Sequence, residues 1–101
     1  MYHRVFDIES RLDEGMFLFG GRQVGKSTLL RERFPNAVYI DLLDADTRKR
    51  FKRHLREFYE TLVKYPPKTL VIVDEIQKLP ELLDYVHKLM VENGLYFILS
   101  G

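Results

Sequence analysis

The sequence predicts an α/β fold in which a parallel sheet carries helices on both faces, forming three layers. Four short apolar runs typical of buried strands alternate with segments of helical periodicity. The first run leads directly into a glycine-rich turn, and the third leads directly into two carboxylates. Functional side chains of open parallel sheets collect beyond the carboxyl ends of the strands, so these two features are expected to face one crevice.

The chain begins with a segment that predicts a short amphipathic helix over Asp7 to Asp13, because Ile8 and Leu12 recur at helical spacing. Gly15 ends this helix. Met16 to Phe19 is compact and wholly apolar, which is typical of a strand buried on both faces.

The second helix and second strand follow the glycine-rich turn. Lys26 to Phe34 contains helix formers and is stopped by a proline, after which Ala37 to Asp41 predicts a strand. Asp44 and Asp46 are positioned to cap one long helix that runs to about residue 65. Its apolar stripe consists of Phe51, Leu55, Phe58 and Leu62.

The last third of the chain predicts two more strands and one helix. Thr69 to Val73 is apolar and rich in β-branched residues, as expected of a central parallel strand, and Leu95 to Leu99 predicts the fourth strand. Pro80 suits the first turn of the helix between them, which Asn93 and Gly94 end. The predicted apolar side of this helix consists of Leu82, Leu83, Val86, Leu89 and Met90.

Composition excludes several classes of protein. A chain of 101 residues with a net charge of +1 predicts one domain, residues 1–101, without a general attraction to nucleic acid or anionic membranes. The absence of cysteine excludes disulfides and thiolate metal sites, and His3, His54 and His87 share no ligand spacing. No export signal and no apolar run long enough to cross a bilayer occur, so we expect a cytoplasmic protein without a membrane partner.

The glycine-rich turn matches the phosphate-binding pattern Gly20-x-x-x-x-Gly25-Lys26-Ser27 in full. Glycines let successive backbone N–H groups point at phosphate oxygens, and the following helix N-terminus adds favourable partial charge. Lys26 is suited to reach the β and γ phosphates and Ser27 to ligate Mg²⁺. The alternative is a plain strand-to-helix turn with an exposed lysine. The predicted nucleotide-binding residues are Gly20, Gly21, Arg22, Gln23, Val24, Gly25, Lys26, Ser27 and Thr28.

The carboxylates after the third strand complete the predicted site. Asp74 is expected to hold Mg²⁺ through water, and Glu75 to orient and deprotonate a water that attacks the γ phosphate. If the fourth strand lies between the first and the third, Ser100 lies between the loop and these carboxylates, where it senses the γ phosphate or positions the water. The alternatives are a polar helix cap for Asp74 and Glu75, and an ordinary strand-end serine for Ser100.

The reaction class follows from these residues and from one missing motif. A base positioned for water favours hydrolysis and disfavours phosphate transfer to a small molecule, while the absence of the guanine-reading Asn-Lys-x-Asp tetrapeptide favours ATP over GTP. The leading hypothesis is therefore an ATPase, with Lys26, Glu75 and Ser100 as catalytic residues and ATP and Mg²⁺ bound. The alternative is an ATP-dependent switch with little turnover.

With these motifs assigned, the sequence resembles the AAA+-like P-loop ATPases of bacteria and archaea that carry a C-terminal domain of unknown function. The resemblance implies a P-loop core of the additional-strand type with sheet order 5-1-4-3-2, of which this chain supplies four strands in the order 1-4-3-2. It also implies Lys26 and Ser27 as Walker A residues, Asp74 and Glu75 as Walker B residues, and Ser100 as a sensor-like residue. The stretches that carry it are FLFGGRQVGKSTLL, RFPNAVYIDLLD, LVIVDEIQKLPELL and YFILSG.

Two departures from that family affect the expectations. Gly21 stands where many members carry proline, which leaves the loop more flexible. Members also continue through further strands, an arginine-bearing region and the C-terminal domain, so we expect this chain to be truncated after its fourth strand. We therefore expect slow hydrolysis, a partner role for the absent C-terminal domain or another protein, and a tendency to form homo-oligomers.

A basic segment, TRKRFKRHLRE, leaves nucleic acid open as a further partner. A helix distributes its cations around the apolar stripe, so the plainer interpretation is a solvated helix face. Six phosphate contacts to duplex DNA would give a log–log salt slope near −5.

Overall fold

The structure, a computed structural model, describes Met16–Phe19 and residues 26–100, with side chains from residue 30 onward. The predicted helix over Asp7 to Asp13 therefore lies outside the described residues. The strands are β1 (Met16–Phe19), β2 (Val38–Asp41), β3 (Leu70–Asp74) and β4 (Tyr96–Ser100). The α-helices are α1 (Lys26–Arg33), α2 (Ala45–Arg53), α3 (Leu55–Leu62) and α4 (Leu83–Asn93), and two short 3₁₀ segments cover Ile76–Lys78 and Pro80–Leu82.

The strands form one sheet in the order β1-β4-β3-β2, and each neighbouring pair is parallel. The predicted α/β class with a parallel sheet and helices is confirmed. β4, the last strand in the chain, lies between β1 and β3, so residues far apart in sequence become neighbours at the carboxyl edge.

Each face of the sheet carries its own apolar cluster, as the period-2 alternation of strands requires. The larger cluster joins alternate residues such as Val71, Val73 and Phe97 to buried side chains of α2, α3 and α4. The smaller cluster joins Ile72 and Ile98 to Leu30 of α1. The helix that follows β1 therefore packs on the opposite face from the other three helices.

The predicted single helix from Asp44 to about residue 65 is wrong, because it is broken at His54. His54 has φ −136° and ψ 82°, outside the helical region, and separates α2 from α3. A straight helix of 20 residues would be about 30 Å long, whereas a strand of five residues spans about 17 Å. The break lets both helices lie over the sheet, and Phe51 and Phe58 still meet edge to face at 5.6 Å between ring centroids.

The helix predicted to begin at Pro80 starts later, at Leu83, after the two 3₁₀ segments. Leu82 is buried as predicted, but Leu83 is 43% exposed, because the tighter 3₁₀ turn rotates it away from the core. The C-terminal end of this helix is as predicted. Gly94 adopts the left-handed conformation with φ 69°, and its N–H donates to the carbonyl oxygens of Leu89 and Met90.

None of the helices within the described residues is both long and apolar enough to cross a membrane. The longest of them, α4, has 11 residues. At 1.5 Å per residue it spans about 16 Å, roughly half of a bilayer's hydrocarbon core.

Asp44 caps the N-terminus of α2, as the sequence predicts. Its Oδ2 accepts hydrogen bonds from the backbone N–H of Thr47 at 3.0 Å and from the Thr47 hydroxyl at 2.7 Å. These bonds stabilise the charged form and lower the pKa of Asp44 below its usual value of 3.8. A carboxylate with a lowered folded-state pKa stabilises the fold above its unfolded-state pKa and loses this effect as the pH falls through its folded-state pKa.

Asp44→Asn tests this cap, because asparagine caps helices about as well as aspartate but does not titrate. We expect the parent to have the higher Tm at pH 7, since the carboxylate also interacts with the helix dipole. The difference should shrink as the pH falls below about 4. Thermal melting of both proteins between pH 2 and pH 7 measures it, and a difference independent of pH would contradict the assignment.

Candidate functional site

Polar side chains lie where the strands end, at the carboxyl edge of the sheet. Asp41, Asp74 and Ser100 are the last residues of β2, β3 and β4. Asp41 is the register partner of Asp74, and Ser100 is that of Phe19, the last residue of β1. The parallel register therefore brings three polar side chains to one edge, beside the point where the chain leaves β1.

Asp74 is a buried carboxylate held from both sides. It is only 4% exposed. Its Oδ1 accepts a hydrogen bond of 2.6 Å from the Ser100 hydroxyl of β4, and its Oδ2 accepts one of 2.9 Å from the Tyr39 hydroxyl of β2. Burial of a carboxylate is costly unless hydrogen bonds replace water, and these two donors fix its orientation as well.

Ser100, 1% exposed, is joined to this carboxylate at the end of a central strand. The pleat places it on the same face as Ile98, just as it places Asp74 on the same face as Ile72. That face is the one covered by α1. Asp74 and Ser100 therefore lie on the face occupied by the helix that follows the glycine-rich loop.

Glu75 directs the chain out of β3 in an uncommon backbone conformation. Its φ of 62° and ψ of 44° lie in the left-handed region, which few residues other than glycine adopt. Such conformations cost of order 1–3 kcal/mol and cluster at functional sites. The half-buried side chain accepts a hydrogen bond of 2.6 Å at Oε1 from Nε2 of Gln77. The bond from Gln77 thus restrains the Glu75 carboxylate. Because Glu75 is left-handed, the direction of its side chain is not set by the alternation of β3.

The predicted phosphate-binding residues are only partly described. Lys26, Ser27 and Thr28 form the first turn of α1, as predicted, and their side chains lie outside the described part of the structure. Leu30, fully buried, anchors this helix against Ile72 and Ile98. The remaining predicted residues lie outside the described part altogether, namely Gly20, Gly21, Arg22, Gln23, Val24 and Gly25.

The side chains at the carboxyl edge fit a magnesium ion that is shared with a phosphate ligand. Carboxylate and hydroxyl oxygens are donors that Mg²⁺ prefers. Over residues 30–100, however, no three His, Asp or Glu side chains come together as a metal cage. Mg²⁺ typically binds through one or two carboxylates, several waters and substrate phosphates, and this donor set suits that mode.

Two polar contacts of the site were missed in the sequence analysis. The alternation of β2 places Tyr39 and Asp41 on one face, but nothing local links Tyr39 to Asp74, which lies 35 residues away. Gln77 is close to Glu75 in sequence, yet the bond depends on the left-handed turn at Glu75. Tyr39 and Gln77 therefore join Asp74, Glu75 and Ser100 as candidate site residues.

Comparison with known proteins gave one family. A family model described as AAA domain matches residues 13–101, most of the chain. No curated protein and no solved structure matched. The matched region includes the glycine-rich loop and every strand described above.

Proposed function

The chain belongs to the AAA domain family, whose model matches residues 13–101, and from this premise we propose that it is a P-loop ATPase domain. Membership in the family indicates nucleotide binding and is consistent with ATPase activity. The observation that carries the proposal is the pairing of Asp74 with Ser100 at the carboxyl edge, on the face covered by the helix that begins at Lys26. We propose residues 1–101 as one domain with a P-loop core of the additional-strand type.

The glycine-rich loop and the start of α1 hold the nucleotide in this proposal. The backbone N–H groups of residues 20–28 surround the phosphates, and Lys26 contacts the β and γ phosphates. Ser27 and Asp74 hold Mg²⁺, Asp74 through water. Bound Mg²⁺ supplies positive charge that offsets the charge on the β and γ phosphate oxygens.

Glu75 is the proposed general base. Its carboxylate accepts a proton from the water whose oxygen bonds to the γ phosphorus, while the bond from that phosphorus to the β–γ bridging oxygen breaks and ADP leaves. The hydrogen bond from Gln77 supports that role by limiting the rotamers of Glu75. Ser100 connects β4 to Asp74 and is proposed to respond to the γ phosphate through this contact. The absence of an Asn-Lys-x-Asp tetrapeptide in the chain favours ATP over GTP.

The nucleotide state is proposed to drive a conformational change that is passed to a further domain, a partner protein or a second copy of the chain. The alternative function is an ATP-dependent switch in which turnover is incidental. The ATPase and the switch use the same site, so they differ only in how much Glu75 contributes to the rate of ATP hydrolysis.

Calorimetric titration of Mg-ATP, followed by a phosphate-release assay, tests the proposal. We expect binding of one nucleotide per chain and slow release of phosphate, with weaker binding of Mg-GTP. A folded chain that neither binds Mg-ATP nor releases phosphate would contradict the proposal.

A basic surface supports a second candidate function, contact with nucleic acid. We define it as the exposed residues of α2, α3 and the break between them, namely Lys49, Arg50, Lys52, Arg53, His54 and Arg56. Arg50 is paired with Glu57, and Arg56 lies 3.4 Å from Glu60. Lys49, Lys52 and Arg53 form no ion pair with any residue that the structure describes. A shallow cavity of about 310 Å³ lies along this surface, lined by Asp46, Lys49, Arg50, Arg53 and His54.

The three cations that form no ion pair within the described residues predict a weaker dependence of DNA affinity on salt than six phosphate contacts would give. We expect binding to duplex DNA with a log–log salt slope of about −3, measured by fluorescence anisotropy across a salt series. Replacement of Lys49, Lys52 and Arg53 together by glutamine should make DNA affinity nearly independent of salt concentration. Undetectable binding at low salt, or a slope that the triple change leaves intact, would contradict this second function.

A further inference from the structure

Tyr39 occupies a position that the proposed function leaves unexplained. It lies in the middle of β2, opposite Ile72 in the register, and its ring packs against the cluster formed by Leu30, Ile72 and Ile98. Asp74 is two residues further along β3 than Ile72 and points to the same face. The Tyr39 ring therefore extends along the sheet toward the carboxyl edge, and its hydroxyl reaches Oδ2 of Asp74 at 2.9 Å.

The bond from Tyr39 fixes a different oxygen from the bond made by Ser100. Ser100 donates to Oδ1 and Tyr39 donates to Oδ2. Two donors on different oxygens restrict rotation of the carboxyl group, about the bond that joins it to the side chain, more than one donor does.

The Tyr39 ring is itself held by the helix that begins with the last two residues of the phosphate-binding motif. The guanidinium carbon of Arg31 lies 3.9 Å from the centroid of the Tyr39 ring, within the range of a cation–π contact. Arg31 belongs to the last turn of α1, whose first turn includes Lys26 and Ser27. The contacts thus run from α1 through Arg31 and Tyr39 to Asp74.

We propose that Tyr39 is a positioning residue that orients Asp74 for the magnesium ion of bound Mg-ATP. This inference rests on the proposed function, because it assigns to Tyr39 a role at the same site. Groups that hydrogen-bond to metal ligands fix ligand orientation, and their loss typically costs 10–100-fold in metal affinity or activity. Because Asp74 acts through a water ligand in the proposed site, we expect the low end of that range, about 10-fold. Loss of the Tyr39 hydroxyl weakens the metal-dependent part of nucleotide binding and leaves the loop's own contribution unchanged.

Tyr39→Phe tests the inference, because it removes the hydroxyl and keeps the ring that Arg31 covers. Binding of a non-hydrolysable ATP analogue is measured by calorimetry, once with excess Mg²⁺ and once with EDTA. The readout is the Kd in EDTA divided by the Kd in Mg²⁺, which measures how much the metal strengthens binding. We expect this ratio to fall about 10-fold in Tyr39→Phe, with the Kd in EDTA unchanged.

Tyr96→Phe is the matched control. Tyr96 is a half-buried tyrosine on the same face, at the opposite end of β4 from Ser100. Its hydroxyl is too far from Asp74 to contact it, because four residues of strand span about 13 Å. We expect its ratio of Kd values to equal that of the parent. Thermal melting checks that both variants are folded at the temperature of the titration, with a lower Tm expected for Tyr39→Phe because a buried carboxylate loses a donor.

The outcomes distinguish this inference from the function on which it rests. If the parent shows metal-dependent binding and Tyr39→Phe keeps the same ratio, Tyr39 does not position Asp74 and the inference is overturned. An equal loss of affinity with Mg²⁺ and with EDTA in Tyr39→Phe would also overturn it, because that pattern indicates a general structural role. A parent that binds no nucleotide under either condition would overturn the proposed function and this inference together.

Discussion

Lys26→Ala is expected to weaken binding of Mg-ATP by about 10²–10³-fold. Lys26 is the first residue of α1, directly after the glycine-rich loop, and we propose that its ammonium group contacts the β and γ phosphates. In this proposal Lys26 supplies a positive charge to two phosphates of the bound nucleotide, so its loss is expected to weaken affinity. Isothermal titration of Mg-ATP into parent and variant measures it.

The control for this experiment is Lys64→Ala. Lys64 is exposed and follows the end of α3, so its replacement also removes one positive charge but should leave affinity unchanged. Thermal melting checks that both variants are folded. If a folded Lys26→Ala protein bound Mg-ATP as tightly as the parent, the loop would not be a phosphate-binding site and the ATPase proposal would fail.

Glu75→Gln is expected to lower the rate of phosphate release by about 10²–10⁴-fold while Mg-ATP binding is kept. Glutamine has nearly the shape of glutamate and can still hydrogen-bond to Gln77, but it cannot accept a proton from water. The variant should therefore accumulate the ATP-bound state. Single-turnover phosphate release and calorimetry together separate the chemical step from binding.

Glu81→Gln provides the matched control for Glu75→Gln. Glu81 is an exposed glutamate in the second 3₁₀ segment, six positions further along the chain, and its replacement should leave the rate unchanged. A normal rate in Glu75→Gln would remove Glu75 as the general base. If the parent already released almost no phosphate while binding Mg-ATP tightly, the switch alternative would be favoured over the ATPase.

The contact between Asp74 and Ser100 illustrates how much of the site could be predicted. The sequence predicts Ser100 near Asp74 only if β4 lies between β1 and β3, and a family resemblance is what indicates that order. Residue periodicity alone predicts that strands exist but does not determine which of them pair. Tyr39 was missed because its partner lies on another strand and no local pattern connects the two residues.

The break at His54 shows a different limit of sequence reasoning. The apolar stripe from Phe51 to Leu62 continues across the break, and Phe51, Phe58 and Leu62 are all buried. The hydrophobic pattern is therefore the same for one helix or for two. The difference lies in the backbone at His54, whose φ of −136° and ψ of 82° leave the helical region. Both shorter helices pack their apolar side chains into the same cluster, a property of the packed layers.

The sequence by itself determined the features whose physics is local. These are the α/β class, the phosphate-binding sequence pattern that leads into α1, the two carboxylates at the carboxyl end of β3, the start of α2 at Asp44 and the end of α4 at Gly94. Each depends on neighbouring residues, such as a glycine that permits φ 69° or an aspartate that accepts a bond three residues on. Only the tertiary structure decided the environment of Asp74, because Tyr39 and Ser100 lie 35 and 26 residues away and reach it only when their strands pair on either side of β3.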